Sequence, residues 1–326
     1  MNKQELHQLI EGSNICQIYV RKNGGSVLDI RRSGFKTGDA VNVMSVTKGI
    51  MGILLGIAID KGFIISEDQK VLEFFDGYVV KRGEKTIGDV TIRHLITMTA
   101  PYKFRSEPWT KVCTSSDWTL AALDLLGGRS GITGEFKYTT LGIQILAGMI
   151  ENASGMKCID FANRYLFEPL EIPGHKIHGT SSKEDQFDYL MTKKPRINEW
   201  YSDPQGTVTA GWGLCLSARD MSSIGQLIID EGMFEGRRIV SSEWLSKMTA
   251  PYLQLDKTFG DMQYGYMWYR PHKDRDIFAA IGDGGNVIYA DPVKRISVGV
   301  TGTFKPRIFD RVNFIEDIVI PMTAEM

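Results

Sequence analysis

Cysteine and histidine are scarce in this chain, and neither clusters. The four cysteines, Cys16, Cys113, Cys158 and Cys215, are widely scattered, and no two stand at a metal-ligand spacing. No disulfide framework is expected, and the thiols read as reduced, as in a cytoplasmic protein. Among the five histidines, His175 and His178 are three apart, but they lie in a Pro/Gly-containing stretch. No metal site and no organic cofactor are expected. A basic excess is also missing. With 38 Lys and Arg against 39 Asp and Glu, the formal net charge is -1, which carries no electrostatic footprint of nucleic-acid binding. No apolar run reaches the roughly 20 residues of a membrane span; residues 50–65 are interrupted by Asp60, Lys61 and Gly62. The polar first residues lack the apolar core of a signal peptide. There is no internal repeat and no low-complexity linker. What remains is an ordinary globular composition, 43% hydrophobic and 24% charged over 326 residues, enough for one large domain or two lobes.

Against that background one segment stands out. Ser45 precedes Lys48 by three residues, at the start of an apolar run over 49–60. Positions i and i+3 share a helix face, so the hydroxyl and the amine can meet. A serine hydroxyl becomes a nucleophile when a base takes its proton, and a lysine taken out of water can be that base. The first N–H groups of a helix have no partner within it, so the Ser45 N–H is free for a developing oxyanion. Alone, the pair reads equally well as an N-cap serine beside a snorkelling lysine. The spacing recurs at Ser154 and Lys157, but Ser154-Gly155 follows an apolar run and reads as a helix exit.

Residues 15–20 and 26–30 flank Asn23-Gly24-Gly25 and read as a hairpin. The pattern from 66 to 150 is mostly helical, with a polar and aromatic loop over 101–117. Residues 174–203 look irregular. Ser217-Ala218-Arg219-Asp220 caps a helix to about 230. Strands are expected at 264–269, 277–281, 286–289 and 296–301, then a helix over 307–320. Strands at both ends around a helical middle suggest one sheet with an inserted lobe and a cleft between.

Further segments fall in a telling order: Ile92-Arg93-His94-Leu95-Ile96-Thr97-Met98-Thr99, Tyr138-Thr139-Thr140, Ala210-Gly211-Trp212-Gly213-Leu214, Tyr264-Gly265-Tyr266-Met267-Trp268 and Asp283-Gly284-Gly285. With Ser45-Val46-Thr47-Lys48 as S-x-x-K, they resemble the serine β-lactamase-related hydrolases of the class C type. That group includes penicillin-binding-protein-like D-aminopeptidases, family VIII esterases and 6-aminohexanoate-dimer hydrolases. The resemblance spans about residues 15–303. It implies an α/β (α+β) fold, an antiparallel sheet flanked by helices with an inserted, mostly helical lobe. Residues 1–62 and 205–326 would form the sheet-containing lobe and 63–204 the helical lobe, with the site between them.

The resemblance also implies roles. Ser45 is the acylated nucleophile, Lys48 its base, and Tyr138 a proton relay to the leaving group. The N–H groups of Ser45 and Asn286 form the oxyanion hole, with Gly284 and Gly285 letting a strand approach the substrate; Gly284-Gly285 equally reads as a plain hairpin turn. Thr140 replaces the usual asparagine, offering one short hydroxyl. Asp283 replaces a lysine or histidine, so a preference for neutral or cationic substrates over carboxylate-bearing β-lactams is expected. Trp200, Tyr201, Trp212, Trp109 and Tyr102 are candidates for an aromatic pocket or for ordinary packing. The expected protein is a serine hydrolase cleaving a small ester or amide through an acyl-enzyme, with no cofactor, nucleic acid or membrane partner. The alternatives are a catalytically silent, ligand-binding relative, or a β-lactamase or D-aminopeptidase proper.

Overall fold

The computed structural model describes residues 2–323. Eight strands drawn from the two ends of the chain form one antiparallel sheet. They are β1 (Ile15–Lys22), β2 (Gly25–Arg31), β3 (Leu253–Gln254), β4 (Gln263–Tyr264), β5 (Tyr269–Arg270), β6 (Phe278–Gly282), β7 (Asn286–Asp291) and β8 (Ile296–Gly302). Their order across the sheet is β2-β1-β8-β7-β6-β5-β4-β3. The β1–β2 turn has Asn23 and Gly24 at φ 52° and 80°, the left-handed pair a two-residue hairpin demands. The first and last strands pair from Ile15↔Gly302 to Lys22↔Ile296, so the chain ends are joined in mid-sheet.

Four of the longer helices matter for the fold. They are α1 (Lys3–Glu11), α2 (Val46–Asp60), α3 (Gln144–Ser154) and α4 (Ala218–Ile229). Helix α4 starts in a capping box between Ser217 and Asp220 and packs across β1, β7 and β8. Helix α2 is buried on every side from Val46 to Ala58, as its all-round apolar sequence requires. It packs against β6 and α3. Glycine costs a helix about 1 kcal/mol relative to alanine, and α2 spends that on close packing. A Cβ on Gly56 would lie 2.0 Å from the Trp244 ring, and one on Gly49 2.8 Å from the Ala280 Cβ. Through those gaps the Trp244 and Trp268 indoles donate to Gly52 O (2.9 Å) and Gly49 O (3.0 Å).

Three local expectations are corrected. Residues 174–203 are not irregular. They hold a helix, Lys183–Met191, capped by Ser182, and a parallel pair, Lys176–Gly179 with Glu199–Ser202. Residues 264–269 do not form one strand but the β4–β5 hairpin. Met267 is left-handed (φ 62°), and Gly265 lies where a Cβ would strike the Met248 and Ala250 carbonyls. The final helical segment begins at Val312, whose N–H is capped by Asp310, rather than at 307. Among the described residues no helix is long and apolar enough to cross a membrane.

Candidate active site

Ser45 stands on a tight turn between a short strand, Val41–Asn42, and α2. The residue before it, Met44, has φ 53°, a conformation that costs a non-glycine residue on the order of 1 kcal/mol or more. Neighbours hold the turn. The Asn42 side chain accepts from Met44 N (3.0 Å) and Gly213 N (3.2 Å), and Thr47 Oγ1 donates to Met44 O (2.6 Å). Ser45 makes no side-chain cap of its own helix, so its hydroxyl is left for other work.

The partner of that hydroxyl is Lys48. Its Nζ lies 2.9 Å from Ser45 Oγ, 3.1 Å from Thr140 Oγ1 and 2.8 Å from Gly211 O, with the side chain 1% exposed. The ring of Tyr138 covers the same nitrogen at 4.8 Å from its centroid. The Tyr138 hydroxyl lies close enough to Tyr269 on β5 to act on it electrostatically. Burial, and then the nearby Tyr138 hydroxyl, raise the Tyr269 hydroxyl well above its usual pKa. Tyr269 was not singled out from the sequence.

Two further residues that sequence reasoning missed hold this arrangement. Glu107, in the loop over 101–117, puts one carboxylate oxygen against Thr139 Oγ1 (2.5 Å), Thr140 N (2.6 Å) and Leu141 N (2.7 Å). It thereby fixes the turn that carries Tyr138 and Thr140. Gln144 bridges the opposite wall: its amide donates to Val208 O (3.0 Å) and accepts from Ala210 N (3.1 Å), next to Gly211. Gly211 itself sits so close that a Cβ would lie 2.6 Å from Thr140 Cγ2. An acid in a polar loop and a glutamine opening a helix carry no local signal of these contacts.

The third motif sits differently from the expectation. Gly284 and Gly285 (φ 86° and 74°) are the turn of the β6–β7 hairpin. They face away from Ser45. A Cβ on Gly284 would strike Thr303 O, one on Gly285 the Arg311 side chain, and Asn14 Nδ2 donates to Gly284 O (2.8 Å). Asn286 is fully buried, pairs with Gly282 across the hairpin, and uses its side chain on Asp283 O and Gly302 N. The residue that meets the nucleophile is Gly282. A Cβ there would lie 2.3 Å from Val43 O and 2.9 Å from Ser45 N. Close backbone approach is thus supplied one position before the turn. Among the described residues neither the Ser45 N–H nor the Asp283 N–H donates to another backbone group. Asp283 pairs with Arg307 at 3.4 Å, both side chains well exposed (40% and 66%), so its charge is offset locally rather than presented alone.

A turn-held serine, a buried lysine 2.9 Å away and a glycine strand end pressed on the serine amide all come from within residues 17–313, which match the family model described as Beta-lactamase. The chain belongs to the beta-lactamase family. The 6-aminohexanoate-dimer hydrolase of Paenarthrobacter ureafaciens is 24% identical over 311 residues, 88% of this chain and 72% of that protein. Among solved structures, a family VIII carboxylesterase superposes with a TM-score of 0.69 at 16% identity, covering 98% of this chain and 95% of that one. The octameric penicillin-binding protein homologue from Pyrococcus abyssi superposes with a TM-score of 0.67 at 20% identity, covering 93% and 74%. At these identities the superpositions establish the shared fold.

In this beta-lactamase family member, three of the five aromatic candidates, Trp200, Tyr201 and Trp212, are buried in packing. Trp200 and Tyr201 are fully buried. Trp200 Nε1 donates to Thr209 O (2.8 Å), and Tyr201 stacks on Trp212 at 5.0 Å. Trp109 is 42% exposed, and Tyr102 stacks on Phe104 at 5.2 Å. The ring over Lys48 is Tyr138, which has Phe259 at 5.9 Å, and Phe259 in turn lies 5.8 Å from Phe309. His175 and His178 have separate partners. His175 Nε2 lies 2.8 Å from Cys215 O, and His178 lies between Asp185 and Glu199. The second serine–lysine pair is spent locally, Ser154 Oγ on Ile150 O and Lys157 on Glu151.

Proposed function

We propose that this chain is a serine hydrolase that cleaves an ester or amide of a small molecule through an acyl-enzyme on Ser45. The observation that carries the reading is Lys48 Nζ at 2.9 Å from Ser45 Oγ, buried and held on its other sides by Thr140 and Gly211. In the reacting form the amine donates to Gly211 O and Thr140 Oγ1, and its lone pair accepts the serine proton. Ser45 Oγ then bonds to the substrate carbonyl carbon as the C=O electrons move onto oxygen. The Ser45 N–H and the Asp283 N–H are the two donors to that oxyanion, since Asp283 directly follows the glycine pressed on Ser45. The proton held by Lys48 passes to the leaving oxygen or nitrogen, with Tyr138 as the relay, as the carbonyl re-forms and the leaving group departs. Water repeats the sequence on the acyl-enzyme and releases the acid. The sheet-bearing and helical portions, 1–62 with 205–326 and 63–204, are the two walls of this cleft in the proposed division.

A covalent serine probe tests the reading. A single adduct on Ser45 by intact mass and peptide mapping, with turnover of neutral 4-nitrophenyl esters lost in Ser45→Ala, is the expected result. A folded protein that takes no label and turns over no ester, amide or chromogenic β-lactam would be a ligand-binding relative instead.

A further inference from the structure

A cavity of about 1220 Å³ opens beside the Tyr138 turn, walled by chain from 81–86, 99–105 and 127–137. Its wall is joined to the site along the chain. Phe136 and Lys137 immediately precede Tyr138, the Phe136 and Tyr138 rings are 6.5 Å apart, and Tyr138 covers Lys48. The cavity is strongly cationic, although the chain as a whole carries a formal charge of -1. Eight lysines and arginines line it, against three carboxylates. Two of those carboxylates are already committed. Glu84 accepts from Thr86 N (2.8 Å) and Ile87 N (3.2 Å) and pairs with Lys103 (3.3 Å). Asp124 accepts from the Tyr78 hydroxyl and from Lys81, each at 2.9 Å. Both acids are held below their usual pKa although desolvation opposes it, by hydrogen bonds from backbone amides and Lys103 at Glu84 and from Lys81 and Tyr78 at Asp124. Arg82, Lys85, Arg105, Lys111, Arg129 and Lys137 form no salt bridge among the described residues; Glu135 on the wall and Glu107 near Lys137 oppose them, with Asp124 acting on Lys111 at longer range. Lys137 is the innermost of the six, its amine donating to Phe104 O and lying 4.5 Å from the Phe104 ring centroid.

Like charges gathered round a concave surface raise the local potential and concentrate counter-ions. Ligand pockets of drug-sized molecules occupy about 300–1,000 Å³, so the space suits an extended arm rather than a single ion. We infer that this cavity receives the anionic arm of the substrate, a carboxylate- or phosphate-bearing chain, while the ester or amide lies at Ser45. The inference rests on the hydrolase reading above and names its substrate class. It also reverses the preference for neutral or cationic substrates expected from Asp283, whose charge Arg307 offsets.

The test compares 4-nitrophenyl half-esters of dicarboxylic acids of increasing length, and their phosphate-tailed counterparts, with neutral esters of matched length. At the best tether length and low salt, an acid-tailed ester should show at least tenfold higher kcat/KM. The advantage should shrink toward parity in 0.5 M NaCl, where the Debye length is only about 4 Å. In Arg105→Gln/Arg129→Gln it should shrink likewise, with kcat/KM for the neutral ester unchanged. Whether the carboxylate or the phosphate series responds distinguishes the two ligand chemistries. A ratio at or below one at every length, or one indifferent to salt and to the substitutions, overturns the inference. If no ester of either kind turns over, the hydrolase reading fails first. The cavity is then read directly by calorimetric titration with glutarate and inorganic pyrophosphate. Binding that is lost in the double variant upholds an anion site, and no binding of either at 10 mM overturns it.

Discussion

Glu107 offers the sharpest test of how the site is held. One of its oxygens accepts from Thr139 Oγ1, Thr140 N and Leu141 N at 2.5–2.7 Å, and Thr140 in turn touches Lys48 at 3.1 Å. Glu107→Ala strips that acceptor and leaves two backbone N–H groups of a partly buried turn unpaired. Each buried unpaired donor costs about 1–3 kcal/mol. Allowing for water reaching a partly exposed site, the loss of stability should be about 2–4 kcal/mol. Freed of its anchor, the turn no longer holds Thr140 on the lysine or Tyr138 over it. A loss of about 1.4–2.8 kcal/mol in transition-state alignment corresponds to a 10–100-fold lower kcat. KM should change by no more than about threefold, because Glu107 need not touch substrate. Glu107→Gln keeps a carbonyl acceptor in the same place and should recover most of the stability and part of the rate. Urea unfolding and steady-state kinetics on a neutral ester, well below the melting temperature, measure both. An alanine variant within about 0.5 kcal/mol and twofold of wild type would refute the anchoring role. So would a glutamine variant no better than alanine.

Gly282→Ala should lose at least tenfold in kcat/KM and about 1–3 kcal/mol of stability, because the new Cβ meets Val43 O and Ser45 N; an active, stable variant on a neutral ester would show that the strand end can retreat. Lys48→Arg should lower the rate by about 10²–10⁴-fold, since a guanidinium cannot take the serine proton; near-wild-type kinetics would remove lysine from the base role. Burial holds His175 down to about 4, partly opposed by its hydrogen bond to Cys215 O, so it stays neutral in the folded chain where the unfolded chain would protonate it. Its contribution is therefore complete above about pH 6.5 and is lost as pH falls toward 4, on the order of 3 kcal/mol in all. Urea midpoints across that window should fall with acid more steeply in wild type than in His175→Gln, and parallel profiles would contradict the assignment.

What the sequence alone determined about this protein is what one turn or one strand pair decides. Lys48 reaches Ser45 because three residues of helix bring them to one face. The Asn23-Gly24 turn and the Ser217–Asp220 cap likewise depend on a few consecutive residues. The family pattern, read as order and spacing, placed the chain among beta-lactamase relatives and anticipated an antiparallel sheet with helices about it. Contacts between distant segments were beyond that reach. Gly211 O and Thr140 come to Lys48 across 163 and 92 residues of chain, and no periodicity encodes which carbonyl will face the amine. Asp283-Gly284-Gly285 matched the motif by spacing. Only the hairpin's packing on Thr303 and Arg311 showed that the glycine meeting Ser45 is Gly282. The charges are the plainest case: composition balances 38 cations against 39 anions. The tertiary fold then decides that Asp283 faces Arg307 and that eight cations ring one cavity, because electrostatics acts through space and not along the chain.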